Sequence, residues 1–169
     1  HVTVDVEAAN ALMTEAGYSE SNPLQIRLIV LSAYPDWVAA CEVVKEMLEQ
    51  SYFSVTIEQV ADTSRYTTQD FDMAMISVGL TTKFNSYAQL YDDSTGLNQS
   101  GIDDPDVQAA FAAMTDEAST QAAMKIATES RAYIPIYYPT SFYAFDANLN
   151  PGPYYTQISS FLYRDFSWK

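Results

Sequence analysis

The residues that could do chemistry in this chain are few and badly spaced for it. There is one histidine, His1, and one cysteine, Cys41. A Ser-His-Asp or Cys-His arrangement would have to recruit a terminal histidine, which nothing nearby in the sequence would hold in place. One His and one distant Cys do not make a nitrogen–sulfur metal site, and a single Cys forms no internal disulfide. Cys41 falls on an apolar helical stripe, where a thiol serves as a small core group. The densest carboxylates are Asp92-Asp93, Asp103-Asp104 and Asp106. Calcium needs ligands at a regular spacing with a bidentate acid closing the loop. This spacing lacks that pattern and reads as a solvated loop with acids at a helix N-terminus. Glu42, Glu46 and Glu49 read as the wet face of a helix, and no carboxylate pair stands out for acid–base work. The residue types therefore point to binding, with no catalytic residue, no metal and no cofactor.

Composition narrows what is bound. Of 169 residues, 48% are hydrophobic and 18% charged, the balance of a globular domain. Acids outnumber bases 22 to 8, giving a net charge of −14, which repels phosphate backbones and disfavours nucleic acid as a partner. No apolar run reaches the roughly 18 residues of a membrane span, and the opening His1-Val2-Thr3-Val4-Asp5 does not read as a signal peptide. The aromatic share is 14%, with seven aromatics between Phe145 and Trp168.

The elements that must position any site follow from periodicity. Asp5–Ala16 reads as a helix capped by Asp5 or Thr3 and stopped by Gly17. Leu24–Leu31 alternates and then turns apolar on both faces, as a buried strand does. Pro35 and Asp36 open a helix to about Gln50 whose stripe is Trp37, Cys41, Val44 and Met47-Leu48. Phe53–Val60 is a second strand, so residues 24–60 spell β-α-β with parallel strands. Phe71–Val78 reads as a third buried strand and Ser86–Tyr91 as a short helix. Helices follow from Pro105 and from about Ser119 to Arg131. Ile134–Tyr138 and Phe142–Phe145 read as strand, with Pro135 and Pro139 marking edges or breaks. Ile158–Phe166 reads as a last strand. The fold class is α/β: a mixed, mainly parallel sheet of about five strands flanked by helices.

The order of these segments resembles the bacterial extracellular solute-binding proteins of the peptide/nickel class. Ala8-Ala9-Asn10-Ala11-Leu12-Met13-Thr14-Glu15-Ala16-Gly17-Tyr18 is similar to that family's "A-x-x-L-L-x-E-A-G-Y" helix. Phe53-Ser54-Val55 resembles "lgi-x-v", Asp70-Phe71-Asp72-Met73 "y-D-l", Asp104-Pro105-Asp106-Val107 "n-P-e-v-d", and Tyr133–Tyr137 "p-x-I-P-l-y". The ending Tyr163-Arg164-Asp165-Phe166-Ser167-Trp168 is also family-like. The resemblance implies a C-terminal part of a two-lobed protein about three times longer. Residues 1–146 would be the second-lobe domain, and 147–169 a tail crossing back to the first lobe. A second copy of this chain, as a homodimer, is the alternative cover for that aromatic tail.

The resemblance further implies the ligand-binding subunit of an ABC import system, working with a membrane permease. It would be extracytoplasmic, either periplasmic or a cell-surface lipoprotein. The ligand would be a peptide or other small solute. In peptide-binding members the buried strand runs into "G-W-x-x-D", whose carboxylate holds the peptide amino terminus. Here the ungapped count sets Val78 at the Trp and Thr81 at the Asp, followed by Lys83. The implied ligand is then a longer peptide held by its main chain, a nickel complex, or another solute. The expected ligand-binding residues are Val78, Gly79, Leu80, Thr81, Thr82, Lys83, Phe84 and Asn85, at the end of a buried strand, with Tyr137 and Tyr138 offering contact area plus hydroxyls. A sensory or regulatory protein using the same lobe is the second reading. A DNA-binding domain or a membrane helix upstream would mark it.

Overall fold

A computed structural model describes residues 4–77, 90–91, 98, 101, 104–138, 140, 142–155 and 160–169. The chain divides into two compact units, His1–Ser77 and Val78–Lys169.

In the first unit, α1 spans Val6–Glu15, and Asp5 caps it by accepting the Ala8 N–H at 2.9 Å. The chain leaves α1 at Gly17, whose φ of +92° suits a residue without a Cβ. The sheet is built from β1 (Leu24–Leu31), β2 (Phe53–Val60) and β3 (Met73–Ala74), in the order β2-β1-β3. β1 and β2 run parallel over eight residues, from Leu24 opposite Phe53 to Leu31 opposite Val60. Between them lies α2 (Pro35–Leu48), with Pro35 in its first turn. The expected β-α-β unit and its parallel strands are therefore present.

Central placement explains why β1 turns apolar on both faces. Leu28 and Val30 pack with Cys41 and Val55, and Ile26, Trp37, Val44 and Leu48 close around them. Ile29, on the opposite face, packs with Val60 and Tyr66 from α3 (Ser64–Thr68). Cys41 is fully buried, and burial pushes its thiol up to about 11. On α2 the stripe holds except at Met47, which is exposed while Leu48 packs inward. Glu42, Glu46 and Glu49 face solvent.

The third strand is shorter than its apolar run suggests. Only Met73 and Ala74 pair with β1, opposite Leu28 and Ile29, and the Met75 N–H extends the contact to the Ile29 carbonyl at 2.9 Å. Before Met73, the Asp72 side chain takes the place of a ladder carbonyl by accepting the Arg27 N–H at 2.7 Å. Among the described residues the parallel sheet has three strands, flanked by helices.

In the second unit, α4 (Pro105–Ala112) is capped by Asp104, which accepts from the Asp106 and Val107 N–H groups. α5 (Glu117–Ser130) begins at a capping box, two residues before the expected start. There Asp116 accepts the Ser119 N–H at 2.8 Å and the Ser119 hydroxyl oxygen accepts the Asp116 N–H at 3.0 Å. The core here is Tyr91, Val107 and Ala127, packed by Phe111, Ile126 and Tyr133. The Tyr91 hydroxyl donates to the Ala127 carbonyl at 3.1 Å.

Among the described residues, 134–138 and 142–145 pair in no ladder, where strands were expected. Pro135 contributes no N–H to a ladder. The later strands are two short antiparallel pairs, β4 (Leu149–Asn150) with β7 (Ser167–Trp168), and β5 (Tyr154–Tyr155) with β6 (Ser160–Phe161). The expected single strand over 158–166 is thus broken by a helical turn at Tyr163–Asp165. Tyr143, Phe145, Tyr154 and Phe161 meet in ring contacts of 5.1–5.7 Å. Gly152, at φ +69°, sits where an added Cβ would lie 2.7 Å from the Asp165 Cβ.

Candidate functional site

The three parallel strands all end at one edge of the sheet, at Leu31, Val60 and Ala74. The chain passes from β1 to β2 on one side and then returns to β3 on the other, so β1 lies at the point where strand order reverses. Open α/β sheets bind ligands outside the carboxyl ends of their strands at such a point, because connections diverge there and leave a crevice. Two described aromatics stand at this edge. Tyr34 follows β1, is half exposed, and stacks on Trp37 with ring centroids 4.2 Å apart and planes 20° from parallel. Trp37 also packs against the core cluster of the sheet; in the sequence, two aromatics three apart at a helix start after a buried strand are the signal for this pair.

Of the expected ligand residues, Val78, Gly79, Leu80, Thr81, Thr82, Lys83, Phe84 and Asn85 lie outside the described residues, although the chain enters them from this edge through Met75, Ile76 and Ser77. Tyr137 and Tyr138 belong to the second unit and are 44% and 78% exposed, in the irregular run after α5. Asp92, Asp93 and Asp103 are likewise outside the described residues, whereas Asp104 serves as a helix cap. Among the described residues no group of three His, Cys, Asp or Glu could hold a metal ion, and no helix is long and apolar enough to cross a membrane.

A second cluster, which the sequence reading missed, flanks β3. Arg27 Nη1 donates to Asp70 Oδ1 at 2.9 Å, and Arg27 Nε lies 3.5 Å from Asp72 Oδ2. Arg65 reaches both Glu58 oxygens at 3.0 and 3.2 Å and the Asp70 carbonyl at 2.7 Å. The Arg27 hydrogen bond holds the Asp70 carboxyl below its ordinary range. The partners stand 43 and 45 positions apart in the Arg27 pairs, so no local pattern announces them.

The sequence profile of bacterial extracellular solute-binding proteins, family 5 Middle, matches residues 2–101, and the chain belongs to this family. It is a family of solute binding, not of catalysis. No curated protein sequence matches the chain. Its fold is similar to the pheromone receptor PrgZ (TM-score 0.74, 14% identity, 99% of this chain and 35% of that one). It is also similar to the periplasmic murein tripeptide binding protein MppA in its unliganded open form (0.72, 20%, 96% and 34%). A third similar structure is NikA from Staphylococcus aureus in complex with Ni(L-His)2 (0.61, 20%, 76% and 29%). At these identities the likeness carries the fold. The chain spans about a third of the length of these proteins.

Proposed function

We propose that this chain supplies most of one lobe of a two-lobed binding subunit of an ABC import system, taking up a peptide and doing no chemistry itself. The observation that carries this is the family match over residues 2–101 on a sheet whose carboxyl edge feeds residues 78–85. In this reading 1–146 form the second lobe and 147–169 return to the first. Val78–Asn85, Tyr137 and Tyr138 face the ligand, and the protein works outside the cytoplasm with a membrane permease. Thr81 offers no carboxylate to a peptide amino terminus, so the peptide is held by its main chain and extends past this position. A nickel complex is the second reading, favoured by the similarity to Staphylococcus aureus NikA.

Native mass spectrometry of the full parent protein, purified without refolding, tests this. A retained peptide of several residues supports the proposal. A retained nickel complex moves the assignment to the second reading, and a parent carrying a DNA-binding domain in place of a first lobe would overturn the transport role.

A further inference from the structure

We infer that Arg27, Arg65, Asp70 and Asp72 form a polar latch that positions β3, and that residues 70–76 open as a unit of their own when it is broken, with the β1–β2 pair still closed. The two edges of β1 are held in different ways. Toward β2 it has an eight-residue ladder; toward β3 it has two ladder residues. A two-residue ladder loses few bonds on slipping, so its register rests on apolar packing, Met73 and Met75 on one face with Ala74 and Ile76 on the other, and on polar anchors. Side chains make up the difference. Asp72 accepts the Arg27 N–H at 2.7 Å while its own N–H donates to the Arg27 carbonyl at 3.1 Å, so one residue closes both bonds of a ladder rung. Arg27 and Arg65 then hold Asp70 from two sides, through its carboxylate and its carbonyl. Tyr66, buried in α3, donates to the Met75 carbonyl at 3.0 Å and fixes the far end. Gln69, at φ +55°, turns the chain into this arrangement. The charged side chains are 29–59% exposed, so their Coulomb attraction alone is weak. What they contribute is direction: the Arg27 N–H, the Asp70 carbonyl and the Met75 carbonyl are each bonded by a side chain at one backbone position, which a slip of β3 would move.

The inference concerns this chain's own strand and stands apart from the ligand assignment; only its bearing on residues beyond Ser77 rests on that assignment. Amide hydrogen exchange on the 169-residue chain, read by NMR, tests it with Asp72→Ala, Asp72→Asn and Arg65→Ala. Losing a hydrogen bond to a charged group corresponds to about tenfold or more in the opening equilibrium. Exchange at the Arg27 and Met75 amides is therefore expected to rise about tenfold in Asp72→Ala. In Asp72→Asn the side-chain oxygen remains, so the Arg27 amide is expected to stay within about threefold of the parent. Arg65→Ala is expected to speed Met75 with no change in the β1–β2 amides. Unchanged Met75 exchange in both alanine variants would overturn the latch. So would an equal rise at Met75 and across the β1–β2 pair, which would make residues 70–76 part of a single cooperative core.

Discussion

Individual residues carry more specific demands than their types suggest. Cys41 was legible as core because it recurs with Trp37 and Val44, and it is fully buried. Its raised thiol pKa, caused first by burial and then by Glu42, has a definite pH consequence. The unfolded thiol ionises near its ordinary value of about 9, the folded one near 11. The preference for the folded state is therefore complete below about 9 and is lost as pH rises from 9 toward 11. Between pH 8.5 and 10.5 the parent chain is expected to lose more urea stability than Cys41→Ala does, both read by circular dichroism. At φ +69° with the Asp165 Cβ in the way, Gly152→Ala is expected to loosen the tail by at least about 1 kcal/mol, seen as lost near-ultraviolet signal from its aromatics at lower denaturant than in the parent.

At the scale of elements, legibility followed whether a segment's conformation is set by its own sequence or by a partner. β1, β2 and α2 are set locally by alternation, helical period and Pro35, and their expected bounds fall within two residues of those observed. Phe71–Val78 has the composition of a strand, yet Asp72 diverts its first rung to a side chain and leaves two residues in the ladder. Ile134–Tyr138 has strand composition too, and among the described residues it joins none of the sheets. The site was less legible than the fold: the arginine cluster takes its meaning from neighbours that the topology brings in, whereas Tyr34 stacks on Trp37 only three positions on. The capping box at Asp116 was passed over because its third position is Ser119, not Glu or Gln. Asp116→Ala is expected to lower the midpoint of chemical denaturation at pH 7, because the first turn of α5 loses its cap. Its carboxyl is held below the ordinary value by the Ser119 bonds, so this contribution is present at neutral pH and lost as pH falls through the folded pKa.

Across the whole molecule, apolar surface is distributed unevenly. Tyr138, Phe142, Tyr163 and Trp168 are each at least 74% exposed, whereas Leu28, Ile29 and Val30 are at most 3% exposed. Removing residues 154–169 is therefore expected to cost less stability at the sheet than Leu28→Ala, for which truncation of a buried side chain costs about 2–5 kcal/mol. Urea melts followed at Trp37 fluorescence in a Trp168→Phe background compare the two. If the tail deletion also shifts the Trp37 transition by several kcal/mol, the tail supports the sheet as well as itself.

Each residue of β1 pairs with the one 29 positions later, Leu24 with Phe53 and Leu31 with Val60. The loop that must close is one amphipathic helix, and doubling its length would add only about 0.6 kcal/mol of closure entropy. Residues 24–60 thus contain both strands and the helix that packs on them, so this pairing, although non-local, needs no strand from outside that span. During synthesis from the N-terminus, this nucleus can assemble while everything after Val60 is still being added. β3 then arrives at an edge already in place, and the arginine latch acts on a strand that is docking rather than on one that is founding the sheet.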